Sequence, residues 1–196
     1  MKNDKTHLVE LVIFKETDIF LSKIGWTLPG IRFFYYGMIG LIALALVFII
    51  FKNSLFESNV LLQICLGLAS MLLVIPIHEA IHFLSFKALG AKNVRLIPNV
   101  KRGTILTVAH QFEINRRIAF WVFLMPFFVI TSTCLISIGF VSLDYKLTLL
   151  SALFVHTMIC SADFQLWSYL KSNASYSLIG NSTERSFSIY TSHPTD

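Results

Sequence analysis

The sequence predicts an all-α membrane protein of about four transmembrane helices, with a small β-prone hairpin in one loop. Three observations point to this class. Of 196 residues, 55% are apolar and 14% charged, and mean hydropathy is +0.69, whereas a soluble domain carries about 25% charged residues. Four apolar runs reach the roughly 20 residues needed to cross a hydrocarbon core. Basic residues gather in alternate connections between those runs, as topology signals do. The same composition excludes a disordered regulator, a secreted disulfide scaffold and a soluble nucleic-acid binder.

Residues 1–32 form an amino-terminal segment in which 8–14 reads as a strand or an interfacial stretch. The first span, 33–51, begins too far into the chain, and lacks the small-residue cleavage site, for a signal peptide, so it is expected to be retained. A second span covers 60–84. The connection 90–117 contains two β-prone stretches, 94–98 and 104–109, around Asn99, Lys101, Arg102 and Gly103, the pattern of a hairpin with a glycine-containing turn. Spans at 118–143 and 147–167 follow, completing a membrane domain over 33–170. The tail, 171–196, holds a further short stretch at 187–190 that reads as a strand or an interfacial segment.

Orientation follows from the basic residues. Residues 1–32 hold five Lys and Arg and residues 85–117 hold seven; with Lys171 and Arg185 in the tail, the total is 14, against two, Lys52 and Lys146, in the other loops. The positive-inside rule then places both termini and the middle loop in the cytoplasm, in a multi-pass protein of the cell membrane. The cysteines, Cys65, Cys134 and Cys160, lie within apolar runs and are read as packing residues, with no disulfide framework.

One motif carries chemistry. Residues 77–82 read Ile-His-Glu-Ala-Ile-His, which contains H-E-x-x-H; chance would produce about 0.006 matches at this composition. Histidines four apart project from one helical face, so His78 and His82 can reach a single ion, while Glu79 can orient a water beside it. Zinc suits this donor set and brings the pKa of bound water to about 7. Glu79 is therefore the expected general base, and a carboxylate inside a span is itself rare unless functional.

Catalytic zinc usually takes three protein ligands. Asp163 is the other carboxylate within the four spans. Counted from the outer ends, His78 and Asp163 lie about 27 and 24 Å deep at 1.5 Å per residue, so the two can meet. The rival reading of Asp163 is an interfacial cap or a pair with Lys171. His156, seven residues earlier, is on the same helical face and reads either as a polar packing residue or as a partner of the site. His110, His7 and His193 are expected to be solvated. Pro76 removes the helix partner of the Leu72 carbonyl and predicts a kink beside His78, and Pro126 predicts another in the third span.

From H-E-A-I-H through the following Phe-Leu-Ser-Phe-Lys-Ala-Leu-Gly-Ala-Lys-Asn-Val, the chain resembles a bacterial family of small membrane proteins described as zincin peptidases with a domain of unknown function. The likeness extends through Leu124-Met125-Pro126 and Ser161-Ala162-Asp163 and covers about residues 60–190. That family is similar to site-2 intramembrane metalloproteases, in which two His and a distant Asp bind zinc and Glu activates water. The resemblance implies these roles for His78, His82, Asp163 and Glu79. The chain lacks the Asn-Pro and Asp-Gly elements of typical site-2 proteases, with Phe164 following Asp163.

The expectation is a membrane zincin, with Zn2+ as cofactor, that cleaves a membrane protein or peptide near the cytoplasmic face of the lipid bilayer. No nucleic-acid partner is expected, and no oligomeric state is read. The hairpin is either a substrate-holding edge or simply a positively charged loop facing the membrane. A non-catalytic zinc-binding scaffold is the rival function, and Glu79 speaks against it because a structural site needs no such carboxylate. Zinc transport is weaker, since the polar groups occupy one level rather than a path.

Overall fold

The computed structural model describes residues 7–13, 17–52, 58–99, 104–181 and 186–191. The expected turn residues Lys101, Arg102 and Gly103, and also Lys2, Lys5, Lys15, Arg185 and His193, lie outside these residues. The elements in chain order are β1 (His7–Ile13), α1 (Thr17–Ile24), α2 (Pro29–Lys52), α3 (Ser58–Ala69), α4 (Met71–Ala88), β2 (Val94–Asn99), β3 (Thr104–Ala109), β4 (Glu113–Ile114), α5 (Arg116–Phe140), α6 (Leu143–Ile159), α7 (Ser161–Ser172), β5 (Tyr176–Asn181) and β6 (Ser186–Thr191).

All four expected spans are helical. Three stretches, Pro29–Phe51, Asn59–Ala88 and Arg116–Phe140, are each long and apolar enough to cross a bilayer, and the bent pair α6 and α7 is a fourth when the two are taken as one span. Large apolar side chains on these helices face outward: Phe33 is 82% exposed, Leu72 80% and Phe140 87%. Lipid is the solvent that such surfaces require.

Two spans are interrupted, and each interruption follows a hydroxyl bonded to its own helix. Ser70 donates to the Gly67 carbonyl at 2.6 Å, between α3 and α4. Thr157 donates to the Leu153 carbonyl at 2.8 Å, shortly before α6 gives way to α7 with a 41° bend. A back-bonded Ser or Thr competes for helix carbonyls and bends helices. The helix is interrupted at Ser70, while Pro76 lies inside α4 and Pro126 inside α5.

Close packing of α3 against α6 depends on Gly67. A Cβ there would lie 2.5 Å from Ser151 Cβ and 2.6 Å from the Thr148 carbonyl, so α3 approaches α6 at backbone distance. Small residues at helix crossings serve this purpose in membranes. Ile42 of α2 with Leu150 and Leu153 of α6 forms one apolar cluster; Ile31 and Tyr35 of α2 join Leu124, Phe127, Cys160 and Phe164 in a second.

The hairpin forms as expected, with β2 and β3 antiparallel and Val94 opposite Ala109. The sequence also undercounted the strands. β1 and β6 pair with each other, then β5 and β4 extend the sheet in the order β1-β6-β5-β4, antiparallel throughout. A third apolar cluster joins this sheet to the helices, through Phe20 of α1, Phe86 of α4, Val122 and Phe123 of α5, Leu178 of β5 and Ile189 of β6. Residues far apart in the chain thus close one end of the bundle.

Candidate metal centre

His78 and His82 sit one turn apart on α4, and Asp163 occupies the first turn of α7, just past the bend. Nε2 of His78 lies 3.0 Å from Nε2 of His82 and 3.1 Å from Oδ2 of Asp163, and His82 Nε2 is 3.5 Å from Oδ1. Both histidines are buried. The interfacial alternative for Asp163 is not what forms: Lys171 instead stacks over the Trp167 ring at 4.8 Å.

These separations have a metal's dimensions. Ligands 2.0–2.1 Å from a tetrahedral zinc stand about 3.3 Å from one another, and the nitrogen pair at 3.0 Å and the approaches of His78 to Oδ2 at 3.1 Å and of His82 to Oδ1 at 3.5 Å lie around that value. A two-nitrogen, one-oxygen donor set with a fourth position open also fits zinc chemically. The tautomer is arranged as well: His82 Nδ1 donates to the Val122 carbonyl of α5 at 2.8 Å, leaving Nε2 as the lone-pair donor.

His78 is supported from its other nitrogen. Its Nδ1 is 3.4 Å from His156 Nε2, and Cys160 Sγ lies 3.5 Å from that Nε2 and 4.0 Å from His78 Nδ1. His156 and Cys160 are completely buried. Cys160 packs in the apolar cluster with Phe127 and Phe164, as its surroundings in the sequence predict, and its thiol also adjoins both imidazoles. Between the two readings of His156, the structure favours a partner of the site. His110, expected to be solvated, is half-buried, and its backbone bridges to Gly180 and bonds the Asn93 carbonyl.

A carboxylate oxygen of Glu79 lies within 4.8 Å of ring nitrogens of His78 and His82, so the carboxylate stands beside the histidine pair. Its Oε2 accepts a hydrogen bond of 2.7 Å from the Thr107 hydroxyl on β3, which also lies 3.0 Å from the Glu79 carbonyl. Sequence reasoning missed Thr107, because only the packing of β3 against α4 brings it there. Beside Glu79 opens a cavity of about 220 Å3 whose walls include Phe86, Phe123, Leu166, Leu178 and Phe187. β3 and β5 meet closely at its rim, where a Cβ on Gly180 would stand 2.8 Å from the Ala109 carbonyl.

Fold and site together define a helical membrane protein with a buried His-His-Asp cluster of zincin type. The chain belongs to the family described as "Putative zincin peptidase", whose model matches residues 71–178, more than half of the sequence. The matched region runs from α4 to β5 and contains all the residues of the cluster. That membership supports metallopeptidase activity and zinc as the metal. No curated protein and no solved structure matches the chain.

Proposed function

We propose that this chain is a membrane-embedded zinc metallopeptidase, similar to site-2 proteases, that hydrolyses peptide bonds of membrane or membrane-proximal substrates near the cytoplasmic face. The convergence of His78, His82 and Asp163 within 3.5 Å, next to the carboxylate of Glu79, carries this reading. His78, His82 and Asp163 would hold the zinc, which when bound polarises a carbonyl and acidifies water.

The chain's own residues do the rest. Glu79 takes the proton of the attacking water and passes it to the leaving amine. The Thr107 hydroxyl holds that carboxylate in place between the two transfers. A substrate strand laid along β3 would pass Glu79, and strand addition of this kind supplies backbone hydrogen bonds to an unwound peptide. The apolar walls of the cavity would receive a side chain beside the scissile bond; a cavity of about 150 Å3 already holds benzene. Both termini and the loop 90–117 would face the cytoplasm, with 33–170 as the zincin domain, and the segments 1–32 and 171–196 on the cytoplasmic side.

The test is cleavage of a membrane-protein library by the purified chain in liposomes, with Glu79→Gln alongside. Glu79→Gln should keep wild-type zinc and lose at least about 100-fold in rate, the low end for acid–base catalysis. Undiminished cleavage by this variant would sink the mechanism. Zinc binding with no cleavage by the wild type would favour the scaffold.

A further inference from the structure

A second concavity lies away from the metal centre, at the end of the bundle where α5 begins and α7 ends. It measures about 520 Å3 and is lined by Arg116, Arg117, Phe120, Trp121, Trp167 and Lys171. Three cations and three aromatic rings thus share one groove with no acid among them. The ion pairs among the described residues are those of Asp163 with His78 and His82, so these cations lack carboxylate partners there. Arg116, Arg117 and Lys171 are exposed.

The rings are packed into a platform. Phe120 meets Trp121 edge-on at 5.2 Å and Trp167 at 5.7 Å, and the Lys171 ammonium lies over Trp167. Trp121 remains 52% exposed on the first turns of a membrane-spanning helix. Aromatic residues at this depth sit at the headgroup level. The groove therefore offers positive charge at its mouth and apolar surface continuing toward the hydrocarbon.

We propose that this groove binds the headgroup of an anionic glycerophospholipid, with the phosphate between Arg116, Arg117 and Lys171 and an acyl chain along Phe120 and Trp121. Basic pockets between transmembrane helices take anionic headgroups in this way. Arginine forks match phosphate oxygens bidentately. A free phosphate ion would satisfy the cations and leave the exposed tryptophan face unused, so the lipid is the better occupant.

The full chain, reconstituted in phosphatidylcholine, would be titrated with brominated phosphatidylglycerol or brominated phosphatidylcholine while tryptophan fluorescence is followed. Quenching should saturate and favour phosphatidylglycerol. Loss of each cation should weaken the preference about fivefold, and Arg116→Gln/Arg117→Gln/Lys171→Gln together should weaken it about 100-fold. Single variants and a salt titration serve if the triple variant does not fold, since added salt should weaken the same preference in the wild type. Equal quenching by both lipids in the wild type, or an undiminished preference in the variants, overturns the proposal. Loss of the preference on adding millimolar inorganic phosphate would also overturn it, in favour of a small-anion site.

Discussion

The Thr107 hydroxyl donates to Oε2 of Glu79 across 2.7 Å, tying a strand of the hairpin to the carboxylate of the H-E-x-x-H motif 28 residues earlier. Half-buried Thr107 belongs to the hairpin that would meet a substrate and reaches the candidate metal centre from it. A carboxylate on a flexible two-carbon stem is thereby kept in one orientation.

Replacing Thr107 tests that constraint. Thr107→Val keeps the shape of the side chain and removes its proton, which at about 1 kcal/mol for a hydrogen bond should lower the cleavage rate roughly 5- to 10-fold. Thr107→Ser should restore the rate, and both variants should bind zinc as the wild type does. Equal rates for Val and wild type would leave Thr107 with no part in positioning Glu79.

Metal analysis of purified variants should separate the three candidate ligands from their neighbours. His78→Ala and His82→Ala should abolish stoichiometric zinc, and Asp163→Ala should weaken it strongly. His156→Ala removes only the partner of His78 Nδ1, so its loss should fall within about 10- to 100-fold in affinity, as for outer partners of metal ligands. Full zinc content in Asp163→Ala would remove that residue from the site.

Topology can be read with a membrane-impermeant maleimide on intact cells. Tyr145→Cys, at the start of α6, should be labelled from outside. Lys92→Cys, between α4 and β2, should react only after the cells are opened. The opposite pattern would invert the orientation drawn from the distribution of basic residues.

Gly67→Leu should destabilise the bundle without touching the metal centre. The approach of α3 to α6 leaves no room for a side chain, and overpacking of this kind costs about 1–3 kcal/mol or more. Thermal unfolding in detergent should move down by several degrees. An unchanged midpoint would mean that α3 and α6 separate at little cost.

The spans and the motif were legible in the sequence because both are local. A run of 20 apolar residues commits itself to helix and lipid whatever else the chain does, and residues four apart on a helix share a face, so His78 and His82 had to adjoin each other. The hairpin was legible for the same reason, its two strands being separated only by a turn. Asp163 was reachable by depth alone, because parallel crossing of one slab of fixed thickness turns distance along a helix into a coordinate in space.

What the tertiary structure decided are the contacts with no such coordinate. Whether 8–14 and 187–190 were strands could not be told from either stretch, since a strand exists only through its partner, and each is here the partner of the other across the length of the chain. Thr107 became a neighbour of Glu79 only once β3 folded back on α4. Val122 supplied a carbonyl to His82, a group that every residue carries and no sequence pattern marks. The bend at Cys160 turned one apolar run into α6 and α7 and set His156, Cys160 and Asp163 around the two ring nitrogens of His78. The histidine pair was written into local spacing and Asp163 into depth; the groups that orient them were chosen by long-range packing, where any side chain or carbonyl of the right reach will serve.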